Sequence, residues 1–180
     1  MEHIEEVTLT DAELREADEY AARANREAAA RNAQTRLPGV NKNPQSASTL
    51  GFRAQRAFTK YLGAPWSPRD ARNGPNVGSL FKVRGRQRYC GNPQPELEVR
   101  PYDRDDLVFV HVVTDDSVRF TIKGWISGRD AKKFPLKDFG GIGRQAYSVP
   151  SESLNPTAGL PHDLALQQGS PHQACGLKVA

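Results

Sequence analysis

The chain has 180 residues, a formal net charge of +4, 37% apolar residues and a mean hydropathy of −0.66, which fits one domain with polar segments outside its core. No run approaches the roughly 18 consecutive apolar residues that span a bilayer, and the acidic start Met1 to Glu6 lacks the basic and apolar regions of a signal peptide. A cytoplasmic protein without membrane contact is expected, and the two distant cysteines, Cys90 and Cys175, exclude a disulfide scaffold and a cysteine-based zinc site.

The first predicted element is a helix opening at Thr10-Asp11-Ala12-Glu13, where a threonine hydroxyl and a glutamate three residues on satisfy the free amides of a first turn. Leu14, Ala17 and Ala21 give it one narrow packing stripe, and alanine propensity carries it to Ala30. Residues 33–47, with two prolines and a glycine, read as a linker. Ser48 is placed to cap a second helix in which Leu50, Ala54, Ala57, Phe58, Tyr61 and Leu62 recur at helical spacing, and Gly63 and Pro65 end it.

From Val77 the period becomes strand-like, with strands expected near 80–86, 96–101, 107–113 and 118–126. Their close spacing suits an antiparallel meander, because a parallel crossover needs about a dozen or more intervening residues. Asp115-Asp116 reads as a hairpin turn. Residues 127–146 suggest a loop with a short helix, Tyr147-Ser148-Val149 a last strand, and residues 161–180 a flexible polar tail. Trp125 is expected in core packing, Trp66 at a core edge or as a base-stacking platform, and His111 on the outward side of its strand. The histidines show no ligand spacing, no nucleophile has a recognisable base, and Gly140-Gly141-Ile142-Gly143 lacks the lysine of a phosphate loop.

Charge is distributed unevenly. Residues 1–48 carry −3, residues 49–101 carry +7 from ten bases against Asp70, Glu96 and Glu98, and residues 102–180 balance. Within the basic block Lys82, Arg84, Arg86 and Arg88 recur at every second residue, so a strand would set all four on one face. Such a face can follow a phosphate backbone, with Arg53 and Arg56 of the second helix adding to it. It can equally be a solvated surface that deters sheet-to-sheet association.

Three segments carry a family resemblance: Gly51-Phe52-Arg53-Ala54-Gln55-Arg56-Ala57, Pro75-Asn76-Val77-Gly78-Ser79-Leu80-Phe81-Lys82-Val83-Arg84, and Leu97-Glu98-Val99-Arg100-Pro101-Tyr102-Asp103 with Gly124-Trp125-Ile126. Together, over residues 49–160, the chain resembles small PD-(D/E)xK nucleases of phage and bacterial type. The resemblance implies a helix glutamate, a turn aspartate and a strand glutamate gathered around Mg²⁺, with a nearby cation steadying the phosphate. On this chain those positions fall on Gln55, Asn76, Lys82 and Arg84, so every expected acid is replaced. An amide offers the ion no charge and an ammonium repels it.

The expected fold is α+β with a restriction-endonuclease-like core: a mixed, mostly antiparallel central sheet flanked by helices, in residues 49–160, preceded by an N-terminal helix and linker in 1–48. The expected function is that of a catalytically inactive, phage-related nuclease-like protein without a metal or other cofactor. It would bind DNA or RNA in the host cytoplasm through Lys82, Arg84, Arg86, Arg88, Arg53 and Arg56. Two other readings stand beside it. One is a protein-interaction or assembly module built on the same scaffold, and the other a Mg²⁺-dependent nuclease whose ligands have moved to Asp70, Glu96 or Glu98.

Overall fold

The computed structural model describes residues 5–32, 44–69, 74–139 and 143–161, and the expected tail beyond 161 lies outside them. The elements run β1 (Glu5–Thr8), α1 (Asp11–Asn32), α2 (Pro44–Tyr61), β2 (Phe81–Gln87), β3 (Leu97–Val99), β4 (Val108–Thr114), β5 (Arg119–Ser127), α3 (Gly128–Ala131), β6 (Leu136–Asp138) and β7 (Gln145–Val149), followed by two short 3₁₀ turns. The class is α+β, with a mixed four-stranded sheet in the order β1-β5-β4-β2 and a three-stranded antiparallel sheet in the order β3-β7-β6.

The start of α1 is the expected reciprocal cap: Thr10 N donates to Glu13 Oε2 at 2.8 Å, and Glu13 N donates to Thr10 Oγ1 at 3.3 Å. Helix α2 starts at Pro44, ahead of the expected Ser48 cap, in keeping with the tolerance of a first turn for proline. It lies across the four-stranded sheet and closes one face with Ala54, Ala57 and Phe58 against Phe81, Val83, Val110, Val112 and Phe120. Phe58 meets Phe81 edge-on at 5.2 Å, a favoured aromatic geometry. The approach is so close that a Cβ on Gly85 would stand 2.7 Å from the Ala54 Cβ, so glycine is what lets the helix sit down on β2. Outside α2, helix α1 packs through Ala17, Ala21 and Tyr20 against Phe52 and Trp66.

The expected meander is only half right. β4 and β5 form the predicted antiparallel hairpin around Asp115-Asp116, and Asp116 Oδ1 accepts from the amides of Val118 and Arg119. β2, however, pairs with β4 in parallel, in register from Phe81↔Val108 to Gln87↔Thr114. Residues 88–107 are long enough for that crossover, and β3 within them leaves to join the second sheet, pairing with β7. That second sheet, with Leu107, Phe109 and Ile126, builds a second core of Leu97, Val99, Ala131 and Val149 on the opposite face of the first. The short strands β1 and β6 were not expected.

Buried on both faces, β4 has no outward side, and this corrects the reading of His111: it is fully buried. Trp125 packs against the first core as expected, with its Nε1 donating to the Pro156 carbonyl at 3.0 Å. Trp66 packs at a core edge, T-shaped against Tyr20 at 5.5 Å and under the Arg56 guanidinium at 5.4 Å. No helix among the described residues is long and apolar enough to cross a membrane.

Candidate nucleic-acid and metal site

The positions that the family resemblance assigns to metal ligands lie on α2, on the turn before β2 and on β2 itself. β2 is an edge strand, and its free side is covered by its own approach segment. Phe81 and Val77 exchange backbone hydrogen bonds at 3.2 Å, and the Asn76 side chain then takes over the ladder. Its Oδ1 accepts from Val83 N at 2.7 Å while its Nδ2 donates to the Val83 carbonyl at 3.0 Å. An aspartate could make only the first of these bonds, having no donor when ionised. Asn76 therefore serves as a strand-edge clip, 7% exposed.

Lys82 is brought to the same place. It is 2% exposed, and its Nζ donates to the Gly74 carbonyl at 2.9 Å, two residues before Asn76. Gln55 is buried on α2 with its Oε1 unbonded, beside Ala54, the residue on which Gly85 packs. Asn76 and Lys82 thus both tie the β2 edge to its approach segment, Asn76 through the backbone of Val83 and Lys82 through the Gly74 carbonyl. Among the described residues no group of three His, Cys, Asp or Glu side chains is placed to hold a metal. Of the three acids available for a rearranged site, Asp70 lies outside the described residues, Glu96 bonds Lys137 Nζ at 2.8 Å and also the Ser148 hydroxyl, and Glu98 is ion-paired with Arg86 and Arg100.

The alternating cations of β2 do share a face, as the period of two requires, and each arginine meets a carboxylate there. Arg84 Nη2 donates at 2.7 Å to Asp103, whose side chain is fully buried and also accepts from Arg100 N at 2.8 Å. Arg86 pairs with Glu98, and Arg88 grips Asp115 with two bonds, at 2.7 and 2.5 Å. The helix cations are likewise matched by acids of α1. Arg53 holds Asp18 at 2.7 and 2.6 Å, which raises the affinity of its guanidinium for the proton, and Arg56 lies 3.3 Å from Glu13 and 3.5 Å from Glu16. All six predicted binding cations are thus engaged within the fold, although the side chains of Arg86 and Arg88 remain 34% exposed.

The charged face also contains His111, paired across the ladders with Arg84 and Gly124. Neither ring nitrogen has a hydrogen-bond partner among the described residues, and burial, reinforced by Arg86 and Lys123, pushes its pKa down to about 3, so the ring is neutral. Asp103 and Lys123 escaped the sequence reading. Asp103 follows a proline and a tyrosine and reads as a turn residue; the Lys123-Gly124 pair inside an alternating strand was the available signal of a bulge.

No protein-family model, characterised protein or solved structure matches the chain. The likeness to PD-(D/E)xK nucleases rests on the three quoted segments alone.

Proposed function

We propose that this chain is a PD-(D/E)xK-like domain, phage-related in type, that no longer cuts and acts by binding nucleic acid along the charged face of β2. Lys82 carries the proposal of lost cleavage. The strand position where the resemblance expects a metal-binding glutamate holds a buried ammonium fixed to a backbone carbonyl. A divalent ion brought there would meet the positive charge of that ammonium, which repels it most strongly where the dielectric is low. Binding is supported by the partial exposure of Arg86 and Arg88, whose carboxylate partners a phosphate could replace at little net cost.

The expected behaviour is retardation of DNA or RNA on a gel at low salt, weakening steeply by roughly 200 mM salt because each neutralised phosphate releases counterions. Arg86→Ala/Arg88→Ala should lower the salt slope by about one unit per arginine. Absence of retardation at low salt would refute this reading and favour the second, a protein-interaction module. One observation already leans that way: Arg84, Arg86 and Arg88 each have an acid within the fold, so little unbalanced charge faces outward from β2. Cleavage in Mg²⁺ or Mn²⁺ that is lost on changing Glu96 or Glu98 would instead restore the nuclease reading.

A further inference from the structure

A cleft of about 560 Å³ opens beside the hairpin of β4 and β5, lined also by Arg88, by residues 93–95 and by the segment after β7 that includes Leu154 and Thr157. This is the size range of small-molecule sites, far larger than a simple ion requires. A β-bulge shapes it. Between His111 and Val112 the register slips so that Val112 faces Ile122 and His111 faces Gly124, leaving Lys123 as the extra residue. Bulges re-aim side chains and are over-represented beside active sites. Here the bulge is firmly built: Gly124 has φ +142°, and a Cβ on it would fall 2.5 Å from the Asn155 carbonyl oxygen.

The side chain that the bulge delivers to the cleft wall is the ammonium of Lys123. Lys123 makes no ion pair or hydrogen bond among the described residues, whereas the three arginines of the neighbouring β2 face all have carboxylates. Arg88 lines the same cleft, with its guanidinium held by Asp115. Thr157 lines it too, 2% exposed, and its Oγ1 is buried without a hydrogen-bond partner among the described residues. An unpaired ammonium, a fixed guanidinium and an unused hydroxyl are the groups that a phosphate satisfies.

The remaining wall is different in kind. Pro93, Pro95, Pro156 and Leu154 give apolar surface, and Gln94 and Glu152 add an amide and a carboxylate that can hydrogen-bond ring nitrogens, amino groups or sugar hydroxyls. A bare phosphate would leave this part unused.

From these features we propose that the cleft binds a phosphate ester carrying a planar heterocycle, a mononucleotide, with the phosphate on Lys123 and Arg88 and the ring over the prolines. The cleft shares Arg88 with the charged face of β2, but its other polar groups, Lys123 and Thr157, lie off that strand, so a mononucleotide can bind there without a polymer. Its phosphate can come from a free nucleotide or from the 5′ end of a strand.

The four 5′-mononucleotides, their nucleosides and a short oligonucleotide with and without a 5′-phosphate distinguish these sources by calorimetric titration of the full chain. Saturable binding of at least one mononucleotide or of the phosphorylated oligonucleotide is expected, about tenfold or more tighter than its unphosphorylated counterpart, because one charge-assisted contact is worth that factor. Preference for the oligonucleotide over every mononucleotide assigns the cleft to strand ends; the reverse assigns it to free nucleotides. Lys123→Gln should weaken binding about tenfold and Thr157→Val less, with Arg129→Ala, an exposed cation outside the cleft, as the unaffected control and circular dichroism reporting the fold. No saturable binding of any phosphorylated probe at millimolar concentration, or full affinity in folded Lys123→Gln, overturns the assignment.

Discussion

The two faces of the four-stranded sheet are built from the same strands and do opposite things. Toward α2, Phe81, Val83, Val110 and Val112 meet Phe58 and Ala54 in a layer made of carbon alone. On the other side the alternate residues are Lys82, Arg84 and Arg86 of β2 with Phe109, His111 and Val113 of β4; there Arg84 and Arg86 are set against Asp103 and Glu98 from the β3 region, while Phe109 joins the second apolar core. The first face gains from burial without needing any partner geometry. The second buries charge, which is tolerated only where a counter-charge or hydrogen bond is supplied. The difference teaches that alternation in a strand does not always separate core from water; in β2 it separates an apolar core from a buried ionic layer.

If that comparison holds, truncation on the apolar face should do the greatest harm. Phe58→Ala removes a fully buried ring from between Phe81 and Tyr61 and is expected to cost about 3–5 kcal/mol in urea-unfolding measurements. A loss below about 1 kcal/mol would mean that α2 is not the lid of the main core. On the ionic face Asp103→Asn is expected to cost somewhat less, about 3 kcal/mol, because Arg84 loses its counter-charge while keeping some solvent. Arg84→Met/Asp103→Leu should recover most of that loss, since a well-packed apolar pair is often no worse than a buried ion pair. Should the double variant be less stable than Asp103→Asn, the ionic layer contributes more than mutual neutralisation.

How far this arrangement could be read beforehand follows the range of the forces involved. The Thr10–Glu13 cap, the stripe Ala54, Ala57, Phe58 and the Asp115-Asp116 turn act within a few residues, and the elements they specify are where the sequence puts them. The parallel pairing of β2 with β4 was hidden because Leu97 and Val99 read as the next strand of a meander, and no local feature states that they leave for another sheet. β1 was missed because of its four residues only Val7 is buried. At the candidate site the residue types at positions 55, 76 and 82 were legible from motif spacing. The partners of the arginines were not, since Asp103, Glu98 and Asp115 come from two loops and another strand, and their meeting is a property of topology.

The sharpest probe of the ionic face is the histidine at its centre. In the unfolded chain His111 takes up a proton near pH 6.5, whereas in the fold it stays neutral down to about 3, because its ring is buried and faces Arg86 and Lys123. The unfolded state therefore binds the extra proton throughout that window. The contribution of the neutral ring is complete above pH 6.5 and is lost as pH falls, by about 1.4 kcal/mol per pH unit. Neighbouring carboxylates also weaken in acid, so the test is a difference: His111→Leu, similar in bulk and without unbonded nitrogens, should be nearly as stable as the parent at pH 7 and should lose stability less steeply between pH 6 and 4.5. Parallel curves would mean that the histidine is protonated inside the fold at ordinary acidity. The layer of Arg84, Arg86 and Lys123 would then have to accommodate a further cation, which is possible only if its carboxylates outweigh its bases, and the contrast between the two faces of the sheet would have to be redrawn.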